Sequence, residues 1–238
     1  MPEDDGLTAE ERRTFARLDR EAELLLQEER TTRRAVREVL LPASLSASQL
    51  LRLREDEAAF AAELARPLPR RPAPAAARGT RFHAWVEGLF EDRPLLDPDD
   101  LPGAEDDELG TDAELAALQE AFLAGPWAAR RPHAVEAGFA LPLAGRVVRG
   151  RIDAVYDLGS GRWKVVDWKT GRESADPLQL AVYRLAWARL VGVPLDQVEA
   201  SFLYVRTGRE DVHTDLLDAS GLEELLRGSI EVERLTLL

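Results

Sequence analysis

The sequence predicts an α/β fold, a mixed central sheet flanked by helices, preceded by an N-terminal helical extension. Three observations carry this. Apolar residues recur at helical spacing through the first half of the chain. From Ala134 the period changes to alternation, and after Asp176-Pro177 a helical period returns between two groups of strands. With 238 residues, 45% of them hydrophobic, the chain is long enough and apolar enough to bury a real core.

Thr8 with Glu11 three residues later is a capping box, and it predicts a helix with Phe15, Leu18 and Leu25 on one face. The rest of that helix is dense in Arg and Glu. It reads either as a solvated appendage or as a strut that packs on a partner. Pro42 ends the region, so residues 1–41 form an extension and 42–238 the main domain. Ser46 to Gln49 starts a second helix through Leu50 and Leu53 towards Leu64. The stretch Pro67 to Pro74 holds four prolines and predicts an extended connector. Gly79-Thr80 opens a third helix carrying Phe82, Trp85, Val86, Leu89 and Phe90. Residues 91–111 are acidic and rich in turn formers, which predicts a surface loop, and 112–123 form a short helix stopped by Gly125-Pro126. Strands are expected at 134–143, 147–157 and 162–169, with turns at Ala144-Gly145 and Gly159-Ser160-Gly161. A helix from Asp176-Pro177 to about Leu190, strands near 198–206 and 211–217, and a last helix near 221–227 complete the order.

Composition narrows the function. There is no cysteine, which excludes disulfides, a cysteine-held iron–sulfur cluster and a Cys-based zinc site, and fits a cytoplasmic protein. The N-terminus is acidic without an apolar stretch, unlike a signal peptide, and no apolar run is long enough to span a bilayer. A net charge of -13 argues against coating nucleic acid through bulk electrostatics, yet leaves room for local basic clusters such as Arg66, Arg70, Arg71 and Arg78.

The densest chemical signal is Val165-Val166-Asp167-Trp168-Lys169-Thr170-Gly171. Residues two apart on a strand share a face, so Asp167 and Lys169 project together, while Val166 and Trp168 point towards a covering helix. An isolated D-x-K is equally well an ion pair at the end of a surface strand. The neighbouring strand, Gly150 to Tyr156, sets Asp153 among apolar residues, where a hairpin can bring it beside Asp167. Paired carboxylates repel, so one takes a proton or a hard divalent cation sits between them, Mg²⁺ or Mn²⁺. The competing reading pairs Asp153 with Arg149 or Arg151. His83 falls in the first turns of the third helix, and alone reads more readily as a core-edge histidine than as a ligand. Gln179 and Tyr183 share a helix face at i,i+4 spacing.

In order, Gly79 to His83, Gly150 to Asp153, Asp167 to Gly171 and Gln179 to Tyr183 resemble the motifs of RecB-like nucleases of the PD-(D/E)XK superfamily, over about residues 44–217. The resemblance implies a restriction-endonuclease-like core and a metal-dependent nuclease. It implies that His83, Asp153, Asp167 and the backbone carbonyl of Trp168 hold the metal. Asp153, Asp167 and Lys169 would form the catalytic centre, with Lys169 orienting the attacking water. Gln179 and Tyr183 would contact DNA or support the lysine, and Glu136 would be an outer ligand or a supporting group. Many relatives carry an iron–sulfur cluster. Leu45 to Ser48 keeps the associated L-S-A-S, but Glu55-Asp56 stands near the place of a cluster cysteine, so this is a cluster-free member. The segment from Leu41 to Trp85 is similar to the nuclease end of UvrD/Rep-type (AdnAB-like) bacterial helicase–nucleases. That implies single-stranded DNA ends as substrate and a helicase motor as partner, with residues 1–41 as the tether. No phosphate-binding G-x-x-x-x-G-K-[ST] motif is present, so the motor itself lies elsewhere. A catalytically silent DNA-binding scaffold, or a hydrolase of another phosphate ester, are the alternatives.

Overall fold

The computed structural model describes residues 8–32, 37–67, 74–90, 112–172, 174–230 and 234–237. In chain order it contains α1 (Ala9–Thr32), β1 (Arg37–Leu40), β2 (Ser44–Ser46), α2 (Ala47–Glu55), α3 (Glu57–Ala65), α4 (Pro74–Phe90) and α5 (Asp112–Ala124). Then follow β3 (Ala134–Leu143), β4 (Arg146–Gly159), β5 (Arg162–Lys169), α6 (Pro177–Val191), β6 (Val198–Tyr204), β7 (Arg209–Val212), α7 (Ala219–Ile230) and β8 (Arg234–Leu237). The expected acidic loop at 91–111 and residues 68–73 of the proline connector lie outside the described residues.

The sheet is mixed. β3, β4 and β5 run antiparallel to one another in succession, β6 lies parallel to β5, and β7 turns back on β6. β2 adds in parallel to the start of β4, with Ser44 opposite Val147. A separate two-stranded ribbon joins β1 to β8. One face of the sheet packs on α2, α3, α6 and α7 through Leu50, Leu53, Phe60, Ile152, Val165, Leu180, Phe202, Leu222 and Leu226. The other packs on α4 and α5 through Phe82, Val86, Leu118, Phe122, Val166 and Trp168. This is the mixed α/β layering that the period changes predict. No helix among the described residues is long and apolar enough to cross a membrane.

Local chemistry explains most boundaries. Thr8 and Glu11 form the expected capping box at the head of α1. Ser46 and Gln49 form another at α2. Asp176 caps α6, Pro177 fills its first turn, and Gly192 ends it at φ 72°. Ala144 and Gly145, at φ 47° and 74°, make the tight turn between β3 and β4. On α1, Phe15, Leu18, Leu24, Leu25 and Leu26 are exposed.

Several boundaries differ from expectation. The second helix is two helices. Asp56 stands extended at φ -153°, its N–H closes α2 on Arg52 O, and its carboxylate caps α3 at Ala59 N. A cap overrides an apolar period that runs through both pieces. The third helix starts at Pro74 rather than Gly79, because proline is at home in a first turn. Gly79 therefore lies inside α4, where an added Cβ would meet Thr170 Oγ1 at 3.4 Å. β7 spans 209–212, earlier and shorter than 211–217, and β1, β2 and β8 were not expected.

One edge of β4 is left partly unpaired. β2 pairs with residues 147–149 and β5 with residues from 154 onwards, so residues 150–153 have no ladder partner on that edge among the described residues. Gly150 opens this gap. Its cross-strand partner is Phe139, and a Cβ on Gly150 would stand 2.8 Å from that ring. Gly150→Ala should therefore cost about 1–3 kcal/mol through overpacking. Urea unfolding of the single variant and of Gly150→Ala combined with Phe139→Leu checks this. The second change should restore part of the loss, and equal stability of Gly150→Ala and wild type would refute the packing argument.

Candidate active site

On β5, Asp167 and Lys169 alternate with Val166 and Trp168 as period two requires. The Trp168 ring packs edge-on against Phe122 of α5 at 5.7 Å. Asp167 and Lys169 face α6. Lys169 Nζ lies 2.7 Å from Asp167 Oδ2 and donates to Gln179 Oε1 at 2.8 Å. Gln179 Nε2 donates to Asp167 Oδ1 at 2.7 Å and to Tyr183 Oη at 2.9 Å. The amide orientation is thus fixed by charge, with its oxygen on the ammonium and its nitrogen on the carboxylate. The Lys169 ammonium also sits 5.1 Å from the centre of the Phe202 ring. Asp167 is only 2% exposed, so this is no surface ion pair.

The β4–β5 register, with Ala154 opposite Val166, points Asp153 at Asp167, but the ladder stops at that pair. Beyond it Asp153 Oδ2 accepts the Trp168 N–H at 2.8 Å. A side-chain carboxylate thus takes the place of a ladder carbonyl. The N–H and C=O of one strand residue leave on the same side, so the Trp168 carbonyl is directed towards β4 as well. On the other edge of β4, Val135 pairs with Ala154 and Ala137 with Ile152, but Glu136 between them stands at φ 48°. A non-glycine residue in that region inside a strand is strained, and here the strain turns the Glu136 carboxylate inward.

His83 of α4 completes the group. Its Nδ1 is 3.3 Å from Glu136 Oε1 and 3.5 Å from Asp153 Oδ1. The ligand-capable atoms of His83, Glu136 and Asp153 all lie within 4.8 Å of one another, so these three could hold a metal ion. Arg149 and Arg151 are exposed. The charges acting on Asp153 are instead those of Asp167, His83 and Glu136.

Burial and the Asp167 charge push the Asp153 carboxyl well above the usual carboxylate range, against the opposing pull of His83 and the Trp168 N–H. Burial alone would lower the His83 pKa. The Glu136 hydrogen bond and the charges of Asp153, Glu136 and Asp167 outweigh it and raise the ring to about 9. Burial and the nearby carboxylates raise the Tyr183 phenol, which stays neutral.

The residues fit a hard divalent cation. The buried Asp153 and part-buried Glu136 carboxylates face the His83 imidazole, and Asp167 Oδ2 is buried without a hydrogen-bond donor, Lys169 lying close but off the line of a hydrogen bond. The structure gathers His83, Glu136 and Asp153 on one side, and Asp167, Lys169, Gln179 and Tyr183 on the other. Sequence reasoning set Glu136 at the margin, because strand alternation carries no sign of a positive φ. It missed Phe202 beneath the lysine, which the parallel pairing of Asp167 with Phe202 explains.

The sequence profile of the PD-(D/E)XK nuclease superfamily matches residues 44–232. A stretch of 76 residues is 40% identical to the Gene 69 protein of Mycobacterium phage D29, covering 32% of this chain and 28% of that protein. The chain thus spans less than a third of that relative. A crystal structure described as a "Putative exonuclease" from Eubacterium rectale is 14% identical, covers 80% of this chain and 81% of its own, and superposes with a TM-score of 0.45.

A His83 pKa raised above its ordinary value near 6.5 stabilises the fold fully below that value, and the contribution is lost as pH rises through about 9. An NMR titration of the His83 ring in chelator should show a midpoint near 9. Glu136→Gln should lower that midpoint, and an unshifted midpoint in the wild type would contradict the arrangement.

Proposed function

The chain belongs to the PD-(D/E)XK nuclease superfamily, and we infer that it is a metal-dependent DNA nuclease hydrolysing phosphodiester bonds at single-stranded DNA ends. The observation that carries this reading is the meeting of His83, Glu136 and Asp153 beside a buried Asp167–Lys169 pair. A silent scaffold has no use for a histidine, three carboxylates and a lysine brought together at such desolvation cost.

His83, Asp153, Asp167 and the Trp168 carbonyl would hold Mg²⁺ or Mn²⁺, with Glu136 as a further ligand or as the partner that orients the His83 ring. When bound, the ion would neutralise charge on the scissile phosphate and lower the pKa of a bound water, removing several kcal/mol of barrier. Lys169 holds a positive charge where negative charge develops on the phosphate, and it can orient the attacking water. Gln179 keeps the ammonium in place from one side, the Phe202 face from below. Tyr183, kept neutral, fixes the Gln179 amide in turn. Asp153, Asp167 and Lys169 are the residues we assign to catalysis.

The same reading extends to context. We take residues 42–238 as the nuclease module of a DNA repair or recombination helicase–nuclease in the cytoplasm. Residues 1–41 would be the tether on a UvrD/Rep-type motor. The apolar side chains that α1 leaves exposed, Phe15, Leu18 and Leu25 among them, support a packing partner for that helix.

Labelled single-stranded DNA incubated with Mn²⁺ should be cut, and chelator or Asp167→Ala should stop the cutting. Lys169→Ala should reduce kcat by about 10²–10³-fold, the cost of one preorganised charge at the reacting phosphate. Binding of DNA with no metal-dependent cleavage would leave the scaffold reading in place of this one. Unchanged cleavage by Lys169→Ala would remove the lysine from the mechanism.

A further inference from the structure

Just past the Lys169 end of β5, two arginines from different elements converge on one carboxylate. Arg206, in the turn after β6, donates its Nε to the Thr170 carbonyl at 3.0 Å. Its Nη2 lies 3.7 Å from Glu114 Oε2. Arg78, on α4, brings its Nη1 to 2.8 Å from the same oxygen. The arginine side chains are 26% and 23% exposed, whereas Glu114, in the first turn of α5, is 52% exposed.

That asymmetry is the informative part. Bringing two guanidinium groups together costs repulsion and desolvation, and a core gains nothing from it unless an anion sits between them. The cations are the settled partners here, since Arg206 is tied to main chain beside the candidate site and Arg78 projects from a well-packed helix. The anion is the exposed partner, able to swing into solvent. It also presents a single oxygen to both arginines. A phosphodiester, with two non-bridging oxygens, gives each guanidinium an acceptor of its own.

Position points to the ligand. Thr170 directly follows Lys169, and Gly79, next to Arg78, packs against Thr170 Oγ1 one helical turn before His83. The two arginines thus reach the Lys169 end of β5 from α4 and from the turn after β6. On a chain with net charge -13, such a local cation pair is the kind of feature that can seat a polyanion.

We propose that Arg78 and Arg206 bind a backbone phosphate of the nucleic-acid strand next to the bond that is cut, and that Glu114 fills that place in the free protein as a phosphate mimic. The proposal rests on the nuclease reading above. On substrate entry Glu114 yields the two guanidiniums to the phosphate and turns outward.

The test uses the full chain and a fluorescein-labelled single-stranded oligothymidylate, measuring KM for cleavage in Mn²⁺ and Kd by anisotropy in Ca²⁺ across a salt series. Arg78→Gln should raise KM and Kd by about three- to tenfold, the loss expected for a charge-assisted phosphate contact. It should also make the dependence of log Kd on log salt shallower by roughly 0.7. Glu114→Gln should shift KM and Kd the opposite way, about two- to fivefold lower, because the competing carboxylate charge is gone. Arg206→Gln also breaks the Thr170 contact, so the other two variants decide. A purely structural ion cluster would move both variants in the same direction or leave both at wild-type values. Either result, with wild type still cutting, overturns the proposal and spares the nuclease reading. A wild type that neither binds nor cuts the strand overturns both.

Discussion

Two carboxylates on neighbouring strands, Asp153 and Asp167, are 7% and 2% exposed, and the rest of the site answers the problem this creates. Leaving a buried ion unpaired costs several kcal/mol, and placing two of like sign together adds to it. The fold spreads the load over both sheet faces. Asp167 receives Lys169 and Gln179 from the α6 side. Asp153 receives the Trp168 N–H from β5 and the His83 ring from α4. Even so the Asp153 carboxyl is pushed well above its ordinary range, so within the protein alone the compensation is incomplete. An additional positive charge is what such a site favours, and a divalent cation supplies it.

The sheet is built irregularly where this happens. The β4–β5 ladder ends at Ala154 and Val166, Glu136 stands at φ 48°, and Gly150 admits the Phe139 ring where a Cβ would clash. The first two bring polar groups together: Asp153 takes the Trp168 N–H where the ladder stops, and Glu136 reaches the His83 ring. Strain concentrated at a cluster of titratable groups is the pattern expected where function rather than stability set the geometry. Around it the packing is ordinary. The aromatic cluster of Phe82, Phe122 and Trp168 anchors α4, and the capped, glycine-terminated α6 holds Gln179 and Tyr183 in line.

The parts readable from sequence were those governed by local period and chemistry. Alternation placed Asp167 and Lys169 on one face, and i,i+4 spacing placed Gln179 and Tyr183 together, because both rules act within one element. Where pairing is long-range the signal faded. β2 beside β4 and the β1–β8 ribbon join segments far apart in sequence, and short strands carry little pattern of their own. The break at Asp56 was hidden by apolar residues that keep helical spacing across it. The inward turn of Glu136 depends on a backbone conformation to which side-chain identity gives no clue. The Arg78–Glu114–Arg206 cluster draws on three separate elements, and only the fold assembles it.

The burden of the buried carboxylate pair is most directly exposed by thermal unfolding of wild type and Asp153→Asn at pH 8, in chelator and in Mn²⁺. Asparagine keeps an acceptor for the Trp168 N–H but removes the charge that faces Asp167. The variant should melt higher than wild type in chelator, by a few degrees if about 1 kcal/mol of repulsion is relieved. Mn²⁺ should then raise the melting temperature of wild type and leave the variant where it was. A variant that melts lower than wild type in chelator, or that gains as much from Mn²⁺, would contradict a cation site built on Asp153.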